Sequence, residues 1–131
     1  MTKIRVSIVT PESTTFDQDA ESLVVPLYDG EAGILADHAP MIGRLAPGEL
    51  RVSSGGTDYR FFVDGGFVQV SNNSVSVITG RSIEASKIDV AAARKLLEET
   101  QVDPSDKVEV IELKNKTLAQ ARAQIRIAGG G

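Results

Sequence analysis

The sequence predicts an antiparallel β-sandwich followed by a C-terminal two-helix hairpin. Short apolar runs with period-two alternation, broken by Gly, Asn, Asp and Pro, fill about residues 1–84, which is the rhythm of strands joined by tight turns. From about residue 86 the apolar residues instead recur at helical spacing. The two textures divide the chain into a sandwich, residues 1–85, and a hairpin, residues 86–131. A chain of 131 residues, 41% hydrophobic and 24% charged, suits one globular domain with a small appendage.

Residues 3–9 alternate strictly, with Ile4, Val6 and Ile8 on one face and Lys3, Arg5 and Ser7 on the other, until Thr10-Pro11 ends the strand. Further strands are expected at 23–25, 33–35, 50–53, 59–63, 67–71 and 75–79. Between them stand Asp29-Gly30, Ala46-Pro47-Gly48, Ser54-Gly55-Gly56, Asp64-Gly65-Gly66 and Asn72-Asn73, residues that tolerate the positive φ angles of turns. Ser86-Lys87-Ile88-Asp89 resembles a capping box, so a first helix is expected over about 87–100, with Ile88, Ala92 and Leu96, flanked by Ala93 and Leu97, as its apolar face. Asp103-Pro104 offers a cap and a first-turn proline, and a second helix is expected from there to about Ile127. Ile111, Leu118, Ala121 and Ile125 form its stripe. Val108, Val110 and Thr117 are indifferent helix formers, which makes the hairpin the less stable part. Gly129-Gly130-Gly131 is expected to fray.

Several function classes are excluded by composition. The chain has no Cys, which removes disulfides, thiolate catalysis and zinc-thiolate sites, and one His, which removes a polyhistidine metal site. A net charge of −4, with 5% aromatics and no Trp, argues against a nucleic-acid partner. No apolar run approaches the roughly 20 residues of a membrane-spanning helix, so membrane association would go through a partner rather than direct insertion. Met1-Thr2-Lys3-Ile4-Arg5-Val6 enters the alternating pattern at once, with neither a secretory h-region nor a transit helix, and the protein is expected to stay where it is made.

Candidate chemistry is sparse. His38 lies in Ala36-Asp37-His38-Ala39-Pro40, where Asp37 could polarise it, but no nucleophile-elbow pattern accompanies it, and a structural or interface role is favoured over catalysis. The glycine pairs at 55–56 and 65–66 lie between strands and read as hairpin turns, not phosphate cradles. Asp29, Glu31, Asp37 and Asp64 lack EF-hand spacing and read as solvated loop carboxylates, so no metal is expected. The far end of the chain is more informative: Lys114, Lys116, Arg122 and Arg126 stand there without any acid, whereas residues 1–85 carry six Lys or Arg against eleven Asp or Glu. Positive charge near a helix C-terminus offsets the macrodipole. A basic helix on a detachable hairpin can equally dock on an acidic protein surface. Composition leaves both readings standing, and it also admits a free-standing protein- or ligand-binding sandwich with a helical interaction tail.

The segment Pro26-Leu27-Tyr28-Asp29-Gly30-Glu31-Ala32-Gly33, running on to His38-Ala39-Pro40, resembles the signature of the epsilon subunits of bacterial-type rotary ATP synthases. Leu45-Ala46-Pro47-Gly48 and Phe62-Val63-Asp64-Gly65-Gly66-Phe67 are similar to two further family segments, and the resemblance covers almost the whole chain. It implies a non-catalytic rotor subunit with a ten-stranded sandwich bound beside the gamma subunit and touching the c-ring. The subunit would lie peripherally on the cytoplasmic face of the bacterial inner membrane and couple proton flow to ATP synthesis. It further implies a hairpin that extends toward the alpha and beta catalytic-head subunits and restrains hydrolysis. By the same resemblance Glu31 and His38 face the c-ring, and Lys114, Lys116, Arg122 and Arg126 belong to the docking helix. Some relatives bind ATP on the hairpin through Ile or Leu, Asp, two variable residues, Arg and Ala. Here Ile88 and Asp89 remain, but Ala92 replaces the Arg and removes the natural phosphate partner, so no cofactor is expected.

Overall fold

The computed structural model describes residues 3–129; Met1, Thr2 and the Gly130-Gly131 part of the expected frayed end lie outside them. The strands are β1 (Ile4–Val9), β2 (Thr14–Ala20), β3 (Ser22–Leu27), β4 (Gly30–Leu35), β5 (Met41–Ser54), β6 (Thr57–Ser71), β7 (Ser74–Ile78) and β8 (Ser82–Glu84), followed by α1 (Val90–Glu99) and α2 (Val108–Gly129). Seven strands pair in the order β2-β1-β7-β6-β5-β3-β4, and β8 adds to β6. The path folds over itself because β5 and β6 are long enough to belong to both layers. Their register is constant from Met41↔Val70 to Ser54↔Thr57. The first half of β5 and second half of β6 join β7, β1 and β2. The remaining halves join β3, β4 and β8.

Between the layers lie Ile4, Val6 and Ile8 of β1, Val75 and Val77 of β7, Leu23 and Val25 of β3 and Ile34 of β4, all buried. Phe16 packs edge-on against Phe61 at 5.7 Å and Tyr59 at 5.2 Å. The alternation changes parity within the two long strands. On β6 the inward residues are Phe61 and Val63, then Val68 and Val70. Gly65 and Gly66, at φ 79° and 114°, sit at the change. A side chain at Gly66 would place its Cβ 2.0 Å from the Ile78 carbonyl oxygen, so both the angle and the space require glycine there.

Several expectations are corrected by these elements. Eight strands replace the ten implied, since β5 and β6 each cross both layers unbroken; counted once per layer they give ten. Ala46-Pro47-Gly48 and Asp64-Gly65-Gly66 are therefore bends inside strands, not turns. The sheet is not wholly antiparallel, because β1 and β7 run parallel. β2 and β8 have too little alternation to be read from sequence. The first helix starts at Val90, capped by Asp89, whose side chain accepts from the Ala92 N–H at 3.0 Å; Ser86 instead lies in a 3-10 turn. It buries Ala93 and leaves Leu97 half-buried, while Ala92 and Leu96 face outward. The second helix starts at Val108 because Asp103 spends its carboxylate on the Ser105 N–H and hydroxyl, closing a turn before the helix can begin.

Gly66→Ala should therefore cost more than about 3 kcal/mol in urea denaturation, combining backbone strain with a clash that the sheet cannot relieve. Gly80→Ala, with nothing within 4 Å of the added Cβ, should change stability by less than about 0.5 kcal/mol. Similar losses at the two positions would contradict this account of the bend.

Candidate functional site

The two outer faces of the sandwich have opposite surroundings. On the β3-β5-β6 layer, Phe62 points outward between inward-facing Phe61 and Val63, and all three are buried. What covers Phe62 is the hairpin: Ile88, Ala123 and Ile127 form one cluster with it, and the Arg81 guanidinium lies 5.6 Å from its ring. Three consecutive buried apolar residues signal a strand covered on both faces, and that signal stood in the sequence at 61–63. Polar ties hold the same contact. Gln120 of α2 donates to Asp64, and Arg60 Nη2 donates at 2.8 Å to the carbonyl of Ile127, one of the last four of the helix, which have no partner within it.

Arg60 is itself held. Its Nε donates to Glu49 Oε2 at 2.8 Å, and Arg51 Nη1 donates to Glu49 Oε1 at 2.9 Å and to Glu31 Oε2 at 3.2 Å. These side chains share the outer face because Glu49 and Arg51 are two apart on β5 and Arg51 pairs directly with Arg60. They line a groove of about 430 Å³ that ends at Arg126 and Ile127. Burial disfavours the charge of Glu49, but hydrogen bonds from Arg51 and Arg60 outweigh it and hold the carboxyl below its ordinary range. Arg51 is correspondingly raised, chiefly by its hydrogen bond to Glu49.

Among the described residues nothing covers the opposite layer. Val9, Ile78, Phe67 and Arg44 are directly paired across β1, β7, β6 and β5, forming a row on the outer surface. Phe67 is 53% and Ile78 52% exposed, and Ile42, diagonal to Phe67, is 74% exposed. The Arg44 guanidinium stacks 4.9 Å from the Tyr28 ring at the end of the row. Sequence reading missed these positions. An aromatic residue followed by alternating Val68 and Val70 on the other face of β6 was the available sign.

Glu31 and His38 are not brought together. Glu31 is second in β4, whereas His38 follows the strand's far end, its N–H bonded to Leu35. Residues 31 and 35 alone are separated by roughly 13 Å at the strand rise. His38 Nδ1 lies 2.7 Å from the Ala39 carbonyl, and its loop is clamped by Asn73, whose Oδ1 accepts from the Asp37 N–H at 2.6 Å. In the hairpin, Lys116, Arg122 and Arg126 are exposed. Lys114 is engaged: its ammonium donates at 2.9 Å to both Asp106 and the Gln101 carbonyl, closing the loop between the helices. Of the residues considered for ATP, Ile88 is core and Asp89 is the α1 cap. Among the described residues no cluster of possible metal ligands occurs, and no helix is long and apolar enough to cross a membrane.

The family model for the ATP synthase delta/epsilon chain, beta-sandwich domain, matches residues 3–85. An ATP synthase epsilon chain of Rhodopirellula baltica is 42% identical over 123 residues, 94% of this chain and 96% of that one. The chain belongs to the ATP synthase epsilon-chain family. Membership displaces the free-standing binding sandwich. A further epsilon chain, from Propionigenium modestum and described as sodium ion specific, is 31% identical over 131 residues, 98% of this chain and 95% of the relative. The epsilon fold is also recovered in a chain of the Euglena gracilis mitochondrial ATP synthase, described as OSCP/F1/c-ring in rotational state 1. There the TM-score is 0.83 and the identity 24%, over 94% of this chain and 79% of that one. A chain from the Tetrahymena thermophila central stalk/c-ring structure gives 0.70 at 14% identity, covering 97% of each.

The lowered Glu49 carboxyl fixes the sign of a pH effect in this epsilon-family chain. Its stabilising contribution is complete above the ordinary glutamate range near pH 4.3 and is lost as pH falls through its depressed native value. Acidification from pH 7 to 3 should release the hairpin more steeply in the wild type than in Glu49→Gln, followed by hydrogen exchange in α2. Parallel pH profiles would remove Glu49 from the hairpin contact.

Proposed function

We propose that this chain is a non-catalytic central-stalk subunit whose sandwich binds the gamma subunit and the c-ring, coupling proton flow to ATP synthesis, and whose hairpin restrains ATP hydrolysis. The observation that carries the reading, beyond family membership, is the asymmetry of the two outer faces. The bare row Val9, Ile78, Phe67 with Ile42 is suited to permanent burial against a partner, and it is assigned to the gamma shaft. The other face holds a hairpin through a small cluster and a few polar ties, a contact that can be exchanged. Glu31 is assigned to the c-ring contact, with His38 as a second contact at the other end of β4. His38, the residue weighed for acid–base chemistry, has its Nδ1 2.7 Å from the Ala39 carbonyl, in keeping with a non-catalytic role. The chain would sit peripherally on the cytoplasmic face of the bacterial inner membrane, attached through its partners.

Extension of the hairpin would carry the exposed Lys116, Arg122 and Arg126 to the alpha and beta subunits, and opening of the interhelix loop would free Lys114 from Asp106 to join them. The division at residues 85 and 86 is proposed as the boundary between a rotor-binding sandwich and this regulatory segment.

Phe67→Asp should leave the sandwich folded, because the side chain is already half exposed, yet weaken binding to purified gamma at least about tenfold, the scale of losing one buried aromatic contact. Unchanged gamma binding with an unchanged urea midpoint would remove the row from the interface.

Removal of residues 86–131 should leave assembly and coupled synthesis intact and raise hydrolysis by the assembled enzyme. Lys114, Lys116, Arg122 and Arg126 changed together to Ala should raise it in part, and the difference from wild type should shrink as salt rises from 0.1 to 1 M. Phosphate release by complexes of equal subunit content measures this. Equal rates for intact, truncated and neutralised forms would end the inhibitory assignment.

A further inference from the structure

The groove between β4, β5, β6 and the end of α2 is lined by five charged side chains, of which Arg126 stands at the helix end and the other four form a series of alternating sign. Glu31 meets Arg51 at 3.2 Å, Arg51 meets Glu49 at 2.9 Å, and Glu49 accepts from Arg60 Nε at 2.8 Å. Arg60 ends the series on the Ile127 carbonyl at 2.8 Å. One end is the carboxylate assigned to the c-ring contact, 57% exposed, and the other is the C-terminal turn of the regulatory helix. Each interior member serves two neighbours, so a change at one end redistributes hydrogen bonds along the series. Arg51 divides one Nη1 between Glu31 and Glu49. Glu49 divides its two oxygens between Arg51 and Arg60. Arg60 holds Glu49 Oε2 through both Nε at 2.8 Å and Nη2 at 2.5 Å, and the same Nη2 donates to the Ile127 carbonyl, so the grip on Glu49 sets where Nη2 meets the helix end.

We propose that Glu31, Arg51, Glu49 and Arg60 form a charge relay through which a cationic side chain engaging Glu31 loosens the hold of the sandwich on the hairpin. The inference rests on the rotor reading above and supplies its missing link, a physical connection between the ring-facing edge and the hairpin. A partner Lys or Arg that takes Glu31 leaves Arg51 with Glu49 alone. Arg51 then competes more strongly for the Glu49 carboxylate, Arg60 loses part of its anchor, and its planar fork no longer presents Nη2 to Ile127. The series is short and partly shielded at Glu49 and Arg60, whose side chains are 18% and 25% exposed, so its inner pairs are less screened than the outer one. The hydrophobic cluster at Phe62 is untouched by the exchange. The relay therefore sets how often the helix end opens, not whether the hairpin can dock.

The test uses the isolated full-length chain and reads hydrogen exchange of the α2 amides at 120–128 against those of β1 and β7. Arg60→Leu should speed α2 exchange by about tenfold, the scale of one charge-assisted hydrogen bond, with β1 and β7 unchanged. If that variant proves unstable, Arg60→Lys retains the charge, lacks the fork and should act in the same direction. Glu31→Gln, which mimics withdrawal of Glu31 by a partner, should speed α2 exchange by about two- to threefold, the scale of an exposed ion pair. In a Glu49→Gln background it should have no further effect. Such non-additivity is the signature of a relay. Equal effects of Glu31→Gln with and without Glu49, or none in either, would overturn it. Because the measurement needs no other subunit, its failure would leave the inhibitory role to be judged separately by hydrolysis in the assembled enzyme.

Discussion

The close approach of Gly66 to the Ile78 carbonyl is the constraint on which the other features depend. Two long paired strands must pass from one layer to the other, and a pleated strand can turn its inward positions over only where the backbone leaves the ordinary extended region. Gly65 and Gly66 supply that departure on β6. Because of it, Phe62 and Phe67, five residues apart in sequence, stand on opposite outer surfaces of the molecule. One strand thereby supplies an anchor for the hairpin and, on the proposed reading, an anchor for a partner, on either side of a bend where only glycine fits.

The hairpin is built to a different standard. Its contact with the sandwich is centred on Phe62, Ile88, Ala123 and Ile127, edged by the partly buried Ile83, Ala85, Val90 and Ala128 and supplemented by a few polar ties. A helix so held lies near the low end of the range of local opening energies, whereas β1 and β7, whose inward residues Ile4, Val6, Ile8, Val75 and Val77 are almost wholly buried, lie near the global limit. The asymmetry follows from composition: the second helix spends Leu113, Val108 and Val110 on solvent. Apolar residues that do not reach the sandwich are those that a different docking position would use.

Sequence patterning revealed the sandwich and hairpin because β1 and β7 alternate cleanly, β3 is a short apolar run, and apolar residues recur at helical spacing beyond residue 86, although α1 turns Ala92 and Leu96 outward. It failed at β2, where Thr14–Ala20 mixes acids with a single buried aromatic, Phe16. It also divided β5 and β6 at their bends, since a change of parity interrupts the period-two signal as a turn would. Glu31 and His38 could be named from motif resemblance, but not their separation along β4. The relay was invisible for a plainer reason. Arg60 and Glu49 become neighbours only through strand register, and the Ile127 carbonyl has no sequence signature at all. Lys114 illustrates the converse case, in which a residue counted among free basic charges is occupied by Asp106 in the folded hairpin.

The parallel pairing of β1 with β7 has a consequence for how the chain is made. Strands β4 to β6 can each pair with a neighbour already synthesised, but β1 stands between β2 and β7, and its second partner spans residues 74–78. Until those residues emerge from the ribosome, the β1-β2 ribbon has both edges open and an apolar face formed by Ile4, Val6 and Ile8. Closure by distant segments is the slow kind of step in β proteins. The nascent chain thus carries an exposed adhesive ribbon from the completion of β2 at Ala20 until β7 emerges, and the charged pairs of Arg5 with Asp17 and Asp19 on the ribbon's outer side confine that hazard to one face.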